Sequence, residues 1–221
     1  MPVRNILRNY RNVTGIAAST DTAAMLAFES MLERDFMLLL KFSNSVSKFD
    51  VQPVTIDFER DQSSRSYTPD FHVEYISSRN TPPSLIEIKY SEDLVAYWDD
   101  LEHKFEAAER YCLDRGWEFQ VRTEQEIRTP YLTNVKFLIR YQNIEESDFS
   151  QRDLLRAMAN VRECSVEELL ATQCSSEYGT AWTIPHLWKL VANREIQTDL
   201  MKPLSMKSEL WISDQEKEYV L

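Results

Sequence analysis

An acid and a base occupy one face of an otherwise apolar segment in the first half of the chain. Residues 85–90 read LIEIKY, and because successive side chains of a strand point to opposite sides, Glu87 and Lys89 lie together. Upstream, residues 67–75 carry apolar side chains at largely two-residue spacing, which predicts a second strand with Asp70 on its polar side. The connection is short enough for a hairpin, so Asp70 and Glu87 are predicted to be neighbours.

This arrangement suits the hydrolysis of a phosphodiester bond. Mg²⁺ held by carboxylates activates water and neutralises developing negative charge, and it prefers oxygen ligands. Asp70 and Glu87 supply carboxylates, and Ile88 adds a backbone carbonyl. Lys89 is placed to orient or deprotonate the water, or to stabilise the phosphate. Each short motif alone is better interpreted as a solvated strand face or a turn, but the combination favours a metal site.

The surrounding pattern predicts a mixed α/β domain over residues 21–144, preceded by an N-terminal arm over residues 1–20. A first helix is expected over residues 22–41, capped by Thr20 or Asp21. The other expected elements are a strand over 49–58, a loop over 59–66, a helix over 95–115 with Trp98 facing inward, a strand over 117–122, a turn capped by Thr123 and a helix over 132–141.

Residues 145–221 are predicted to form a smaller winged-helix-like domain. An acidic stretch around residues 142–150 interrupts the apolar pattern and marks the boundary. A second helix of this region begins at Ser165, with Glu168 in the capping-box position. The remaining expected elements are helices over 151–162 and 184–193 and short strands over 195–200 and 210–212.

The composition, 43% hydrophobic and 28% charged, is typical of a chain with an ordinary buried core. No apolar run approaches the roughly 18 residues of a membrane span. The N-terminus lacks the apolar segment of a secretory signal, so a cytoplasmic location without membrane partners is expected. Cys112, Cys164 and Cys174 lack metal-type spacing and are expected to be reduced thiols.

The net charge of −11 is unusual for a protein that binds nucleic acid unaided, since phosphate binding normally requires a basic surface. Residues 1–144 and residues 145–221 are both net negative, so neither region offsets the other. If the chain acts on DNA, partner proteins are expected to supply much of the affinity.

Two motifs carry a resemblance to a known family. TPDF at residues 68–71 and EIK at residues 87–89 resemble the PD-(D/E)xK signature of restriction-endonuclease-like nucleases. Wider blocks resemble TnsA, the endonuclease subunit of heteromeric transposases, including those associated with CRISPR systems; these blocks are FESMLERDFMLLLKFSNSVSKFDVQPVTIDF, YTPDFHV and LIEIKYSEDL. The resemblance covers residues 25–125 well and the C-terminal part in layout. It implies a restriction-endonuclease-like α/β core, with a mixed central sheet flanked by helices.

The resemblance also implies the composition of the active site. In that family the site consists of a helical Glu, a strand Asp, an acid or amide two residues before a Lys, and the Lys itself. The implied metal ligands, for one or two Mg²⁺ ions with Mn²⁺ as an alternative, are Glu33, Asp70, Glu87 and the carbonyl of Ile88. The implied catalytic residues are Glu33, Asp70, Glu87 and Lys89. Glu29, one helical turn before Glu33, stays open as the rival helical ligand.

The implied activity is cleavage of the 5′ ends of a transposon, the non-transferred strands, during cut-and-paste transposition in the bacterial cytoplasm. A DDE-type transposase cuts and joins the 3′ ends. Further implied partners are the DNA of the transposon ends and an AAA+ regulator that contacts residues 145–221. Lys189 and Arg194 form no basic stripe on the third helix of that region, which favours protein contact over groove reading.

Two alternatives stay open. A stand-alone restriction or defence nuclease of the same fold would share the site and should nick DNA without partners. A non-catalytic adaptor of the transposition complex would be free to lose site residues, so the intact set of Asp70, Glu87 and Lys89 disfavours it.

Several other polar and aromatic residues are weaker candidates. Gln52 is interpreted as a strand-edge amide or a polar residue near the site, and His72 as an exposed strand histidine. Arg4, Arg8 and Arg11 suit either a phosphate contact or a solvated arm. Structural or exposed positions are expected for His103 and His186, and Tyr90 and Trp98 are interpreted as core rather than base-stacking residues.

Overall fold

A computed structural model describes residues 15–18, 25–28, 30–76, 80–145, 148–173 and 177–212. The chain divides into two compact units, Met1–Arg128 and Thr129–Leu221. This division falls earlier in the chain than the expected boundary at residues 144 and 145. Across the described ranges, no helix is both long and apolar enough to cross a membrane.

The first unit is built around a mixed sheet. Its strands are β1 (Gly15–Ala18), β2 (Met25–Phe28), β3 (Val46–Val51), β4 (Ile56–Arg60), β5 (Ser63–Tyr67), β6 (Phe71–Tyr75), β7 (Ser84–Ile88) and β8 (Glu118–Arg122). Its helices are α1 (Met31–Phe42), α2 (Ser91–Ala96), α3 (Trp98–Leu113) and α4 (Glu124–Ile127). The central sheet has the order β3–β6–β7–β8, with β7 and β8 parallel and the other neighbours antiparallel. Helices α2 and α3 form the connection between the two parallel strands.

Helix α1 begins later than the sequence predicted. Ser30 caps it, because its hydroxyl accepts a hydrogen bond from the backbone N–H of Glu33 at 3.1 Å. The predicted start near residue 22 is wrong, since Met25–Phe28 is a strand that pairs with β1. The expected caps at residues 20 and 21 lie outside the described residues.

The predicted strand over residues 49–58 is two strands in different sheets. Gln52 has a positive φ of 49° and precedes Pro53, which has no N–H, so the chain leaves β3 at this point. The polar stretch over residues 59–66, predicted to be a turn or flexible loop, is a turn only at its centre, because β4 and β5 form a hairpin. Its turn residues, Asp61 and Gln62, both have positive φ, as a two-residue hairpin turn requires.

The buried core of the first unit has two parts. Phe71 is fully buried and packs edge-on against Phe36, with 5.3 Å between ring centroids. A second cluster joins the β4–β5 hairpin to α3 and consists of Ile56, Phe58, Tyr67, Leu85, Ala107, Ala108 and Cys112. The predicted helix over residues 95–115 is interrupted at Tyr97, and Trp98, expected to face inward, is 48% exposed.

The second unit combines helices with a small antiparallel sheet. Its helices are α5 (Pro130–Leu138), α6 (Asp148–Val161), α7 (Val166–Gln173) and α8 (Glu177–Ala192), and its strands are β9 (Glu163–Ser165), β10 (Gln197–Thr198) and β11 (Glu209–Trp211). The sheet order is β10–β11–β9. Ser165 and Glu168 cap α7 reciprocally, as predicted. Strand β9 was not predicted, and the winged-helix-like assignment stays a prediction.

The sequence predicted that all three cysteines are reduced thiols. Cys112 and Cys164 are free thiols in the structure. Cys174 lies outside the described residues.

Candidate active site

The acidic residues predicted from the two motifs adjoin each other in the central sheet. Asp70 directly precedes β6, and Glu87 lies in β7, which pairs antiparallel with β6. The pairing brings the carboxylate of Asp70 to the end of β7, where the backbone N–H of Ile88 donates to Oδ2 at 2.7 Å. Lys89 follows β7 directly. Asp70 and Glu87 therefore lie on neighbouring antiparallel segments, as the alternation of apolar and polar residues predicted.

Backbone hydrogen bonds fix the segments that carry these side chains. The N–H of Gln52 donates to the carbonyl of Asp70 at 2.8 Å, and the N–H of Lys89 donates to the carbonyl of Arg122 at 3.1 Å. Glu33 sits in the first turn of α1, where Ser30 binds its backbone N–H. Side-chain positions at the site are thus set by well-bonded backbone rather than by a loose loop.

Helix α1 is also held at the site by an ion pair. The carboxylate of Asp35, two residues beyond Glu33, is buried and lies 3.1 Å from Nε of Arg128. The same guanidinium donates to the hydroxyl of Tyr90 at 3.1 Å and lies over the ring of that tyrosine. Tyr90 follows Lys89 directly, so Arg128 ties the helix that carries Glu33 to the segment that carries Lys89.

Glu87 is only 3% exposed, and each of its two carboxylate oxygens is contacted by a hydrogen-bond donor. The hydroxyl of Tyr67 donates to Oε2 at 2.7 Å, and Nζ of Lys89 lies 2.7 Å from Oε1. Lys89 also lies 3.4 Å from the carbonyl of Ile88. Tyr67 was counted only as an alternating strand residue in the sequence, although its place three residues before Asp70 in the YTPDF block pointed to the site.

These groups also act on one another electrostatically. Burial raises the pKa of Asp70 well above its usual value, and the carboxylates of Glu87 and Glu33 raise it further by repulsion. Burial alone would lower the pKa of Lys89, but attraction to Glu87 and Asp70 outweighs it and raises the pKa above that of a free lysine. Burial and the neighbouring Glu87 raise the pKa of Tyr67, so its hydroxyl remains protonated as a donor.

The cluster suits a divalent cation by its chemistry. Glu33, Asp70 and Glu87 lie near one ammonium, that of Lys89. A cation bound among these hard oxygen donors would offset their excess negative charge. No group of three or more His, Cys, Asp or Glu side chains in the described part of the chain is already arranged to hold a metal. The two oxygens of Glu87 are contacted by Tyr67 and Lys89.

The weaker candidates fall into three groups. His72, expected to be exposed, is only 7% exposed and its ring stacks on Trp117 with 4.2 Å between centroids, so that expectation was wrong. Gln52 is buried at the end of β3 and bonds the backbone of Asp70, beside the site. The residues that lie outside the described part of the chain are Arg4, Arg8, Arg11 and the rival ligand Glu29.

The histidines away from the motifs lack a place in this cluster. His103 lies on α3, where its Nδ1 is 3.7 Å from Glu106 on the same helix. His186 lies in the second unit and is buried on α8, and burial lowers its pKa. The structural or exposed positions expected for these two histidines agree with the structure.

A mixed central sheet flanked by helices, with an acid–lysine cluster on adjoining strands, is the arrangement of a restriction-endonuclease-like nuclease. The family model described as TnsA-like endonuclease N terminal matches residues 43–124. The model described as TnsA endonuclease C terminal matches residues 126–200. Among curated proteins, no significant match to the chain was found. The chain belongs to the TnsA endonuclease family, a family of transposition nucleases, and the resemblance noted in its motifs is confirmed.

Proposed function

We propose that this chain is a divalent-metal-dependent DNA endonuclease that cleaves the 5′ ends, the non-transferred strands, of a transposon during cut-and-paste transposition. The observation that carries the proposal is the buried cluster of Glu33, Asp70 and Glu87 beside Lys89. Mg²⁺, when bound, supplies an activated water and offsets negative charge on the phosphate. The oxygens proposed to hold it are those of the three acids and the carbonyl of Ile88.

Lys89 is proposed to stabilise the phosphate rather than to act as the base. Burial opposes its charged form, but the carboxylates of Glu87 and Asp70 more than compensate and raise its pKa. An ammonium that holds its proton at neutral pH is a poor proton acceptor and a good partner for a phosphate oxygen. This narrows the roles that the sequence left open for Lys89.

The second unit is proposed to be a winged-helix-like partner-binding domain that contacts the AAA+ regulator. Support comes from its element order, since helix, strand, helix, helix and hairpin follow one another from α6 to β11. The two cations noted in the sequence, Lys189 on α8 and Arg194 just after it, are used inside the unit: Lys189 is buried and donates to the carbonyl of Ile144 at 2.8 Å, and Arg194 donates to the hydroxyl of Tyr131 at 2.8 Å. Protein contact is therefore favoured over phosphate contact at these positions.

The proposal is tested with Asp70→Ala in a reconstituted system that contains transposon-end DNA, a DDE transposase and the AAA+ regulator. We expect the variant to fold and to lose 5′-strand cleavage, while joining of the 3′ ends continues and the products shift to cointegrates. Unchanged cut-and-paste products from Asp70→Ala would refute the assignment. Association with a CRISPR-guided targeting system is a further expectation that such a reconstitution would test.

The helical ligand is tested separately. Glu33→Gln is expected to abolish 5′ cleavage, whereas Glu29→Gln is expected to leave most of it, because the charge of Glu33 acts on Asp70 in the structure. The reverse result would assign the ligand to Glu29.

Incubation of the wild-type protein alone with supercoiled plasmid and Mg²⁺ separates the proposal from a stand-alone restriction or defence nuclease. The net charge of −11 favours dependence on partners, because it opposes binding to phosphates. Little nicking is expected without the partners. Efficient nicking by the protein alone would favour the stand-alone nuclease.

A further inference from the structure

Tyr67 reaches the site from a different strand than the one that follows Asp70, although the sequence predicted a single strand over residues 67–75. It ends β5, the second strand of the β4–β5 hairpin, and is only 7% exposed. Its hydroxyl donates to Oε2 of Glu87 at 2.7 Å. The last residue of the β4–β5 hairpin therefore delivers a buried hydrogen-bond donor to one of the proposed metal ligands.

The two donors on Glu87 differ in kind. Lys89 brings a positive charge to Oε1 on a flexible stem that is partly exposed. Tyr67 brings a neutral hydroxyl on a ring that lies in the cluster with Ile56 and Leu85. Because the core encloses that ring, its hydroxyl has little freedom to move. The ammonium of Lys89 is carried by four rotatable bonds, so it can turn toward another anion.

This asymmetry gives the two oxygens of Glu87 different roles. With Oε2 held by Tyr67, the carboxylate keeps one orientation even when Lys89 turns away. Without the hydroxyl, the side chain of Glu87 would regain rotational freedom, and a buried carboxylate oxygen would lose its partner.

We propose that Tyr67 is a positioning residue of the nuclease site, whose hydroxyl holds Oε2 of Glu87 so that Oε1 can bind a divalent cation when Lys89 turns away from it. The proposal rests on the proposed metal-dependent function. It assigns to the β4–β5 hairpin a part in building the site, in addition to its part in the core.

The test measures metal binding directly and does not depend on cleavage. Mn²⁺ and Mg²⁺ are titrated into the DNA-free full chain by calorimetry, for wild type and Tyr67→Phe. One hydrogen bond between a neutral donor and a charged acceptor corresponds to a change of about tenfold or more in an equilibrium constant. We expect the metal Kd of Tyr67→Phe to rise about tenfold, and 5′ cleavage in the reconstituted system to recover at saturating metal.

Tyr131→Phe is the matched control. Tyr131 is also 7% exposed and its hydroxyl is also hydrogen bonded, but to Arg194 in the second unit. The control is expected to lose stability without a change in metal Kd. A Kd for Tyr67→Phe equal to that of wild type, or a rise that Tyr131→Phe reproduces, would overturn the proposal.

A double-mutant cycle asks whether Tyr67 acts through Glu87. In a Glu87→Gln background, Tyr67→Phe is expected to change the metal Kd much less than in the wild type. Equal effects in both backgrounds would contradict the positioning role. A wild-type chain that binds no divalent cation would instead refute the metal-dependent function itself, so the two failures are distinguishable.

Discussion

Asn134 of α5 holds the long connection between β10 and β11. Its side chain is 3% exposed, and its amide nitrogen donates to the carbonyls of Leu200 and Lys202 at 2.8 Å and 2.7 Å. Its amide oxygen accepts from the N–H of Leu204 at 3.3 Å. One side chain thus satisfies three backbone groups of the connection, and Asn134→Ala removes all three contacts.

The expected loss of stability follows from those contacts. A net contribution of about 1 kcal/mol per hydrogen bond gives about 3 kcal/mol for Asn134→Ala. For a unit of this size, a loss of 1 kcal/mol lowers the melting temperature by about 4 to 8 °C, so a fall of about 12 to 24 °C is expected. Asn134→Asp is expected to lose as much, because it keeps the acceptor for Leu204 but turns a carboxylate toward two carbonyls.

This prediction is tested by urea unfolding, which gives the unfolding free energy, and by hydrogen exchange of the full chain. We expect Asn134→Ala to lower the unfolding free energy of the second unit and to speed exchange across residues 199–208, while exchange of β6 and β7 stays unchanged. Asn193→Ala, at an exposed asparagine of the same unit, is the control and should change stability by less than about 0.5 kcal/mol. A loss below about 1 kcal/mol for Asn134→Ala would show that these three hydrogen bonds contribute little to stability.

The site and its helix give two further predictions. Burial, Glu87 and Glu33 raise the pKa of Asp70 in the folded state, so ionisation of its carboxyl group opposes folding. The folded protein is therefore more stable at low pH, where Asp70 is protonated, and loses that stability as the pH rises through the raised pKa. Asp70→Asn is therefore expected to raise the melting temperature of the protein in EDTA at pH 7, a gain that shrinks below the usual pKa of Asp; a lower melting temperature at pH 7 would contradict it. Ser30→Ala removes the N-cap of α1 and is expected to reduce the unfolding free energy by about 0.5 to 2 kcal/mol in urea titration; no change would show that the cap is dispensable.

The parts of the fold that the sequence predicted well are those with a local signal. Alternation of apolar and polar residues located the segments of β6 and β7, because side-chain period alone distinguishes the two faces of a strand. The reciprocal capping of α7 by Ser165 and Glu168 was also predictable from the sequence, because both residues lie within one helical turn.

The parts that the sequence did not predict depend on contacts between distant residues. The hairpin strand β5 reads SSRSY, and most of its side chains are exposed, so its strand conformation comes from pairing with β4 rather than from an apolar pattern. Helix α1 starts at its Ser30 cap, although apolar spacing extends further upstream. The contact of Tyr67 with Glu87 joins two elements that become neighbours only in the folded chain.

Negative charge acts on this nuclease at two scales, and both favour control of its activity. Within the site, burial and repulsion raise the pKa of Asp70, so its ionised form is unfavourable there. Over the whole chain, a net charge of −11 opposes the approach of DNA. Because the chain as a whole is negatively charged, we expect cleavage to require delivery of the transposon end by partners. We also expect added salt to weaken the repulsion between the isolated chain and DNA, rather than to weaken binding.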